Sequence, residues 1–170
     1  MRLTAVMAIT LVCSTQANAQ IEVSFIDAAP TDVFEIKNMS ACPSGAMELT
    51  IDLSASDAGL LFDTAPTGSG VQVYQPFVLT KGAEFLTSIP QVSDGARQIT
   101  LSVMDLPGQS SIGFTIDVDD TLAQSGNGQT RVSGFEMAGA EVRLSGDAVA
   151  EAASFDAAGE AVLALNTCLS

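Results

Sequence analysis

Histidine and tryptophan are both absent from the 170-residue chain, tyrosine occurs once, and lysine and arginine together number six. Each shortage removes a class of function. Without histidine, the commonest general base and the commonest zinc ligand are missing. Neither a Ser-His-Asp nor a Cys-His arrangement can form. No glycine-rich phosphate loop ending in Gly-Lys-Ser/Thr is present. Glycoside hydrolysis by paired carboxylates works in an aromatic-lined cleft, and Tyr74 with no tryptophan supplies little stacking surface. The expectation is a non-catalytic protein. Against the six basic residues stand 20 acidic ones, for a formal net charge of −14. Nucleic acid and anionic lipid need basic patches, so neither is an expected partner. The acidic balance suits solubility and the attraction of cations.

Long hydrophobic runs are also missing. The longest apolar stretch lies in "MRLTAVMAITLVCSTQANAQ", where Arg2 precedes a run from Leu3 to Val12 and Ala17-Asn18-Ala19 closes the segment. This is the anatomy of a signal peptide over residues 1–19, cleaved after Ala19. The run is shorter than the ~20 residues of a membrane-spanning helix. Processing as a lipoprotein at Cys13 is the weaker alternative, because Val12 suits it poorly. The expected product is one domain over residues 20–170, soluble, periplasmic or extracellular, and not inserted in the membrane. Cysteine is scarce: with Cys13 removed, Cys42 and Cys168 remain. In an oxidising compartment these two are expected to pair. Closing so long a loop would add roughly 4–5 kcal/mol on the chain-entropy model.

What is plentiful is period-two alternation. "IEVSFI" puts Ile21, Val23 and Phe25 on one face, and "AMELTIDLS" puts Met47, Leu49, Ile51 and Leu53 on one face with Glu48, Thr50 and Asp52 opposite. "DVFEIKN", "GLLFDT", "GVQVYQPFVL", "AEFLTSI", "RQITLSVMDL", "SSIGFTIDVDD", "QTRVSGF", "AEVRL", "AVAEAASF" and "EAVLAL" continue as expected strands. Turn residues separate them, among them Pro43-Ser44-Gly45, Asp94-Gly95, Asn127-Gly128 and Ala158-Gly159. Strands repeating every ~8–12 residues predict an all-β sandwich or barrel. The alanine-rich segment between Gly146 and Gly159 is expected to be a hairpin rather than a helix. Tyr74 and Phe77, around Pro76, are expected to plug an end of the sandwich. Asn38-Met39-Ser40 matches the glycosylation pattern, which the leader alone does not turn into a site.

The stretch "FTIDVDDT" (residues 114–121) concentrates three aspartates. Alternation puts Phe114, Ile116 and Val118 toward the core and Thr115, Asp117 and Asp119 outward. The simpler expectation is that Asp117 and Asp119 are hydrated and that Asp120 caps the following turn. The sharper one is a calcium site formed by Asp117, Asp119 and Asp120. Its further oxygens would come from Asn127, Asp52, Asp63 or backbone carbonyls, since calcium takes 6–8 oxygens and every candidate ligand is a hard oxygen. The EF-hand pattern of interleaved Asp, Asn and Gly is absent.

The chain resembles a family of small secreted proteins of marine α-proteobacteria labelled "aggregation factor core". The stretches that carry the resemblance are "IEVSFIDAAPTDVFEIKN", "IDLSASDAGLLFDTAPTGSGVQVYQPF", "FTIDVDDT" and "VSGFEMAGAEVRL", from Ile21 to Leu144. The resemblance implies a single Ig-like β-sandwich domain outside the cytoplasm. The label implies calcium-dependent adhesion. The leading functional expectation is an adhesion or structural-interaction module with a protein or cell-surface partner. A calcium- or ligand-binding module comes second, and a small periplasmic enzyme third.

Overall fold

The computed structural model describes residues 19–28, 30–70, 73–122, 131–146 and 149–165. Among the described residues ten strands form two antiparallel sheets, and the fold is an all-β sandwich. The strands are β1 (Ala19–Ile26), β2 (Asp32–Asn38), β3 (Met47–Asp52), β4 (Leu61–Asp63), β5 (Val78–Lys81), β6 (Gln98–Val103), β7 (Ser111–Asp119), β8 (Glu141–Gly146), β9 (Val149–Ser154) and β10 (Glu160–Leu165). One sheet runs β10-β1-β2-β7, and the far edge of β7 is shared by β5 and β4. The other runs β6-β3-β8-β9.

Alternation built these strands as their sequences require. Ile21, Val23 and Phe25 are buried in β1, and Met47, Leu49, Ile51 and Leu53 are buried in and just after β3. The inner faces of both sheets meet in one core. Phe34 is its centre: it stacks on Phe114 at 5.0 Å between ring centroids and meets Phe25 and Phe62 edge-on at 5.2 and 6.4 Å. Phe77 packs on Phe114 from the sandwich margin at 4.9 Å, as expected of an end plug.

Three expected strands and one expected hairpin came out differently. "AEFLTSI" holds a 3-10 turn, Ala83–Phe85, after Gly82 in the left-handed region (φ 79°). "QTRVSGF" ends in a one-turn helix, α1 (Gly134–Met137), because Ser133 and Glu136 form a capping box that favours helix over strand. Among the described residues of "GVQVYQPFVL", the strand begins at Val78; Pro76 removes a ladder donor just before it. The alanine-rich segment forms strands but not a hairpin. β9 pairs with β8 in one sheet and β10 with β1 in the other. The turn through Gly159 (φ 78°) therefore carries the chain across the sandwich.

Asp52 lies on the expected outer side of β3 but is covered there by Gln98 and Arg143, and is only 7% exposed. Burial opposes its charge. Hydrogen bonds from Ser54, Arg143 and Gln98 outweigh burial and hold the carboxyl down at about 2. Among the described residues, no helix is long and apolar enough to cross a membrane. Residues 1–18, Asn127 and Cys168 lie outside the described residues, and with them the expected leader and the expected Cys42–Cys168 bond.

Candidate metal centre

The end of β7 is buried on both faces. Phe114, Ile116 and Val118 point into the core, each 0% exposed, as alternation requires. Asp117 and Asp119 lie on the opposite face, but it is not hydrated: they are 4% and 0% exposed. The expectation of a solvated acidic face is overturned here. Strand β4 pairs with this part of β7 in the register Asp63↔Asp117 and Leu61↔Asp119. The loop after β4 then folds back, so that Gly70 lies against the carboxylates of Asp63 and Asp119. A Cβ on Gly70 would sit 2.2 Å from Asp63 Oδ2 and 2.6 Å from Asp119 Oδ2, so only glycine fits.

Three carboxylates thus converge from two strands. One oxygen each of Asp63, Asp117 and Asp119 lies within 4.8 Å of the others. Like charges set directly opposite on paired strands repel. Burial makes the repulsion worse, because the low-dielectric surroundings screen it poorly. Asp63 is fully buried, and among the described residues neither of its carboxylate oxygens has a hydrogen-bond donor. Oδ2 of Asp117 is in the same position. Burial pushes the Asp117 carboxyl up to about 7, with the Asp119 and Asp63 charges adding to the rise. Burial also raises Asp63.

Asp120 lies outside this trio. Its Oδ1 accepts the N–H of Leu122 at 3.0 Å, the expected turn cap, while its buried Oδ2 has no hydrogen-bond partner among the described residues. Asp52 is held by Arg143 at the end of β3, in the other sheet. Asp63, first in view only as a further carboxylate, is the residue that completes the cluster.

Asp32 and Asp94 escaped the sequence reading. Asp32, on β2, is 6% exposed and accepts the N–H of Val118 at 3.1 Å. Burial raises it to about 8 despite that bond, with Asp117 and Asp27 contributing. Together Asp32 and Asp117 line a cavity of about 220 Å³ walled by Pro30 and Val73, with Asp27 and its ion-pair partner Arg131 beside them. That volume holds several waters. Asp94 sits on the Asp94-Gly95 turn; its Oδ1 accepts the N–H groups of Thr64 and Ala65, and its Oδ2 that of Ser69. The backbone donors of Thr64 and Ser69 hold its carboxyl below the usual range. The only hint of either role in the sequence was an Asp before a Gly and an Asp at a strand start.

A wider cleft of about 430 Å³, lined by Met47, Glu48, Thr87 and Met104, carries one ionisable side chain and no catalytic constellation. No protein-family model, no curated protein and no solved structure matches this chain.

Proposed function

We propose that the protein is a non-catalytic, exported β-sandwich module that binds a calcium ion between Asp63, Asp117 and Asp119. One observation carries the reading: a fully buried Asp63 with no donor to either oxygen among the described residues, facing two more buried carboxylates within 4.8 Å. Buried polar atoms nearly always have partners, and an acidic group without one calls for a proton or an ion. All three ligands are hard oxygens, which suit calcium, magnesium or manganese over zinc or copper. Calcium's tolerance of irregular geometry fits a site assembled from two strands and a loop. The leader supports an extracytoplasmic setting, where sites of modest affinity are filled. The resemblance to the aggregation-factor-core family supports the same reading, since its label implies calcium-dependent contact between cells.

The test is thermal unfolding in calcium against sodium chloride of equal ionic strength. At a calcium concentration a hundred times Kd, linkage stabilises by about 2.7 kcal/mol. For a domain of this size that is roughly 5–10 °C in Tm. Asp119→Ala abolishes the shift. Absence of a calcium-specific shift in the unmutated protein overturns the reading.

A further inference from the structure

The three carboxylates leave calcium's shell unfinished. Bound through one oxygen each they supply three ligands, and calcium takes 6–8. The structure shows what else reaches the site. The chain leaves β4 at Asp63 and returns beside it: the N–H of Gln75 bonds the Asp63 carbonyl at 3.3 Å, and the Gln75 carbonyl accepts the N–H of Asp117 at 3.2 Å. The ends of the excursion between thus touch. Its first part, Thr64 to Gly70, comes closest to the cluster at Gly70.

That part is pinned from outside by one side chain. Asp94 accepts three of its backbone N–H groups, at 3.0, 3.2 and 3.0 Å. The contact is tight: a Cβ on Gly68 would lie 1.7 Å from Asp94 Oδ2. The turn bearing Asp94 is itself fastened to β4, since Phe62 donates to the Ala96 carbonyl and accepts from Gly95, both at 2.9 Å. Asp94 is thereby held in fixed relation to Asp63, the next residue after Phe62. With both oxygens occupied by N–H donors, Asp94 orients the loop rather than the ion. Among the described residues no carbonyl oxygen of Thr64–Gly70 accepts a backbone hydrogen bond, so these oxygens are open to a cation.

We infer that the Thr64–Gly70 loop is the second half of the cation site, giving backbone oxygens to calcium held by Asp63, Asp117 and Asp119, with Asp94 as its positioning residue. This rests on the calcium reading above. Backbone oxygens in a flexible loop favour calcium over magnesium, which keeps its waters and demands a tight octahedron.

The experiment compares the unmutated protein with Asp94→Ala, Asp94→Asn and Gly70→Ala. Calcium and magnesium affinities come from titration calorimetry, and inner-sphere waters from the luminescence lifetime of bound terbium in H2O and D2O. Asp94→Ala is expected to weaken calcium roughly 10–100-fold, the usual effect of removing a group that orients ligands. Magnesium should weaken less, and the terbium ion should gain water as loop oxygens leave it. Asp94→Asn, which keeps a carbonyl acceptor, should fall between, and it serves if the alanine variant does not fold. Gly70→Ala should reproduce the loss by forcing the loop off the carboxylates. Wild-type calcium affinity and an unchanged water count in the Asp94 variants overturn the loop's role while leaving the three-carboxylate site standing. Failure of the unmutated protein to bind calcium overturns both.

Discussion

Asp63 is the residue on which the site turns. It is fully buried, it has no hydrogen-bond donor among the described residues, and it faces Asp117 across a strand pair. In the absence of a cation this arrangement costs free energy, because an unsatisfied buried polar group costs about 1–3 kcal/mol and a charged one more. Asp63→Asn removes one charge and supplies two N–H donors to its neighbours. The cation-free variant is expected to be more stable than the parent by roughly 1–3 kcal/mol at pH 8, read as a higher urea midpoint in EDTA. It should also lose its response to calcium. A lower midpoint in EDTA would show that Asp63 is an ordinary structural carboxylate. The acidity of "FTIDVDDT" was visible in the sequence, and so was the core side of Phe114, Ile116 and Val118, because alternation is local. The burial of Asp117 and Asp119 was not visible, because a loop some fifty residues earlier covers them.

At the scale of elements, short-range rules chose most strands and failed where a local competitor was stronger. The Ser133–Glu136 capping box drew one segment into helix α1, and Pro76 kept another out of the ladder. The β9–β10 segment shows a different limit. Gly159 marked a turn, but whether two strands pair with each other or with opposite sheets depends on the partners offered by β8 and β1. Gly159 holds φ at 78°, its carbonyl accepts the N–H of Phe25 at 2.8 Å, and a Cβ there would lie 2.9 Å from the Phe25 carbonyl oxygen. Gly159→Ala is therefore expected to cost more than the roughly 1–2 kcal/mol of a left-handed alanine alone. Gly45→Ala is the control: its φ is 71°, with nothing within 4 Å of the added carbon. Equal urea midpoints for the two variants would show that the crossing turn is not tightly seated.

For the whole molecule, the carboxylates at the end of β7 tie stability to pH. Burial raises Asp117 to about 7 and Asp32 to about 8, and raises Asp63. The charged groups facing them are Asp119, Asp94 beside Asp63, Asp27 and the Asp27 partner Arg131. In the unfolded chain these carboxyls titrate near 4. Between pH 4 and 8 the folded protein therefore binds more protons than the unfolded one, so their contribution to stability falls as pH rises through this window. Without calcium, the urea midpoint is expected to drop from pH 5 to pH 8. With saturating calcium the drop should shrink or reverse, because the ion takes the place of the protons. A cation-free midpoint that rises over the same range would contradict the burial of these charges. The sequence by itself determined the all-β class, the faces of its main strands, the acidic character and the exclusion of histidine chemistry. Each of these follows from composition or from a period of two along a single strand. Only the tertiary structure decided that Asp63 joins Asp117 and Asp119, that Asp120 and Asp52 stay apart, and that Asp94 holds the loop above them. Those contacts link residues 25 to 56 positions apart, through strand register and loop path, which no local pattern encodes.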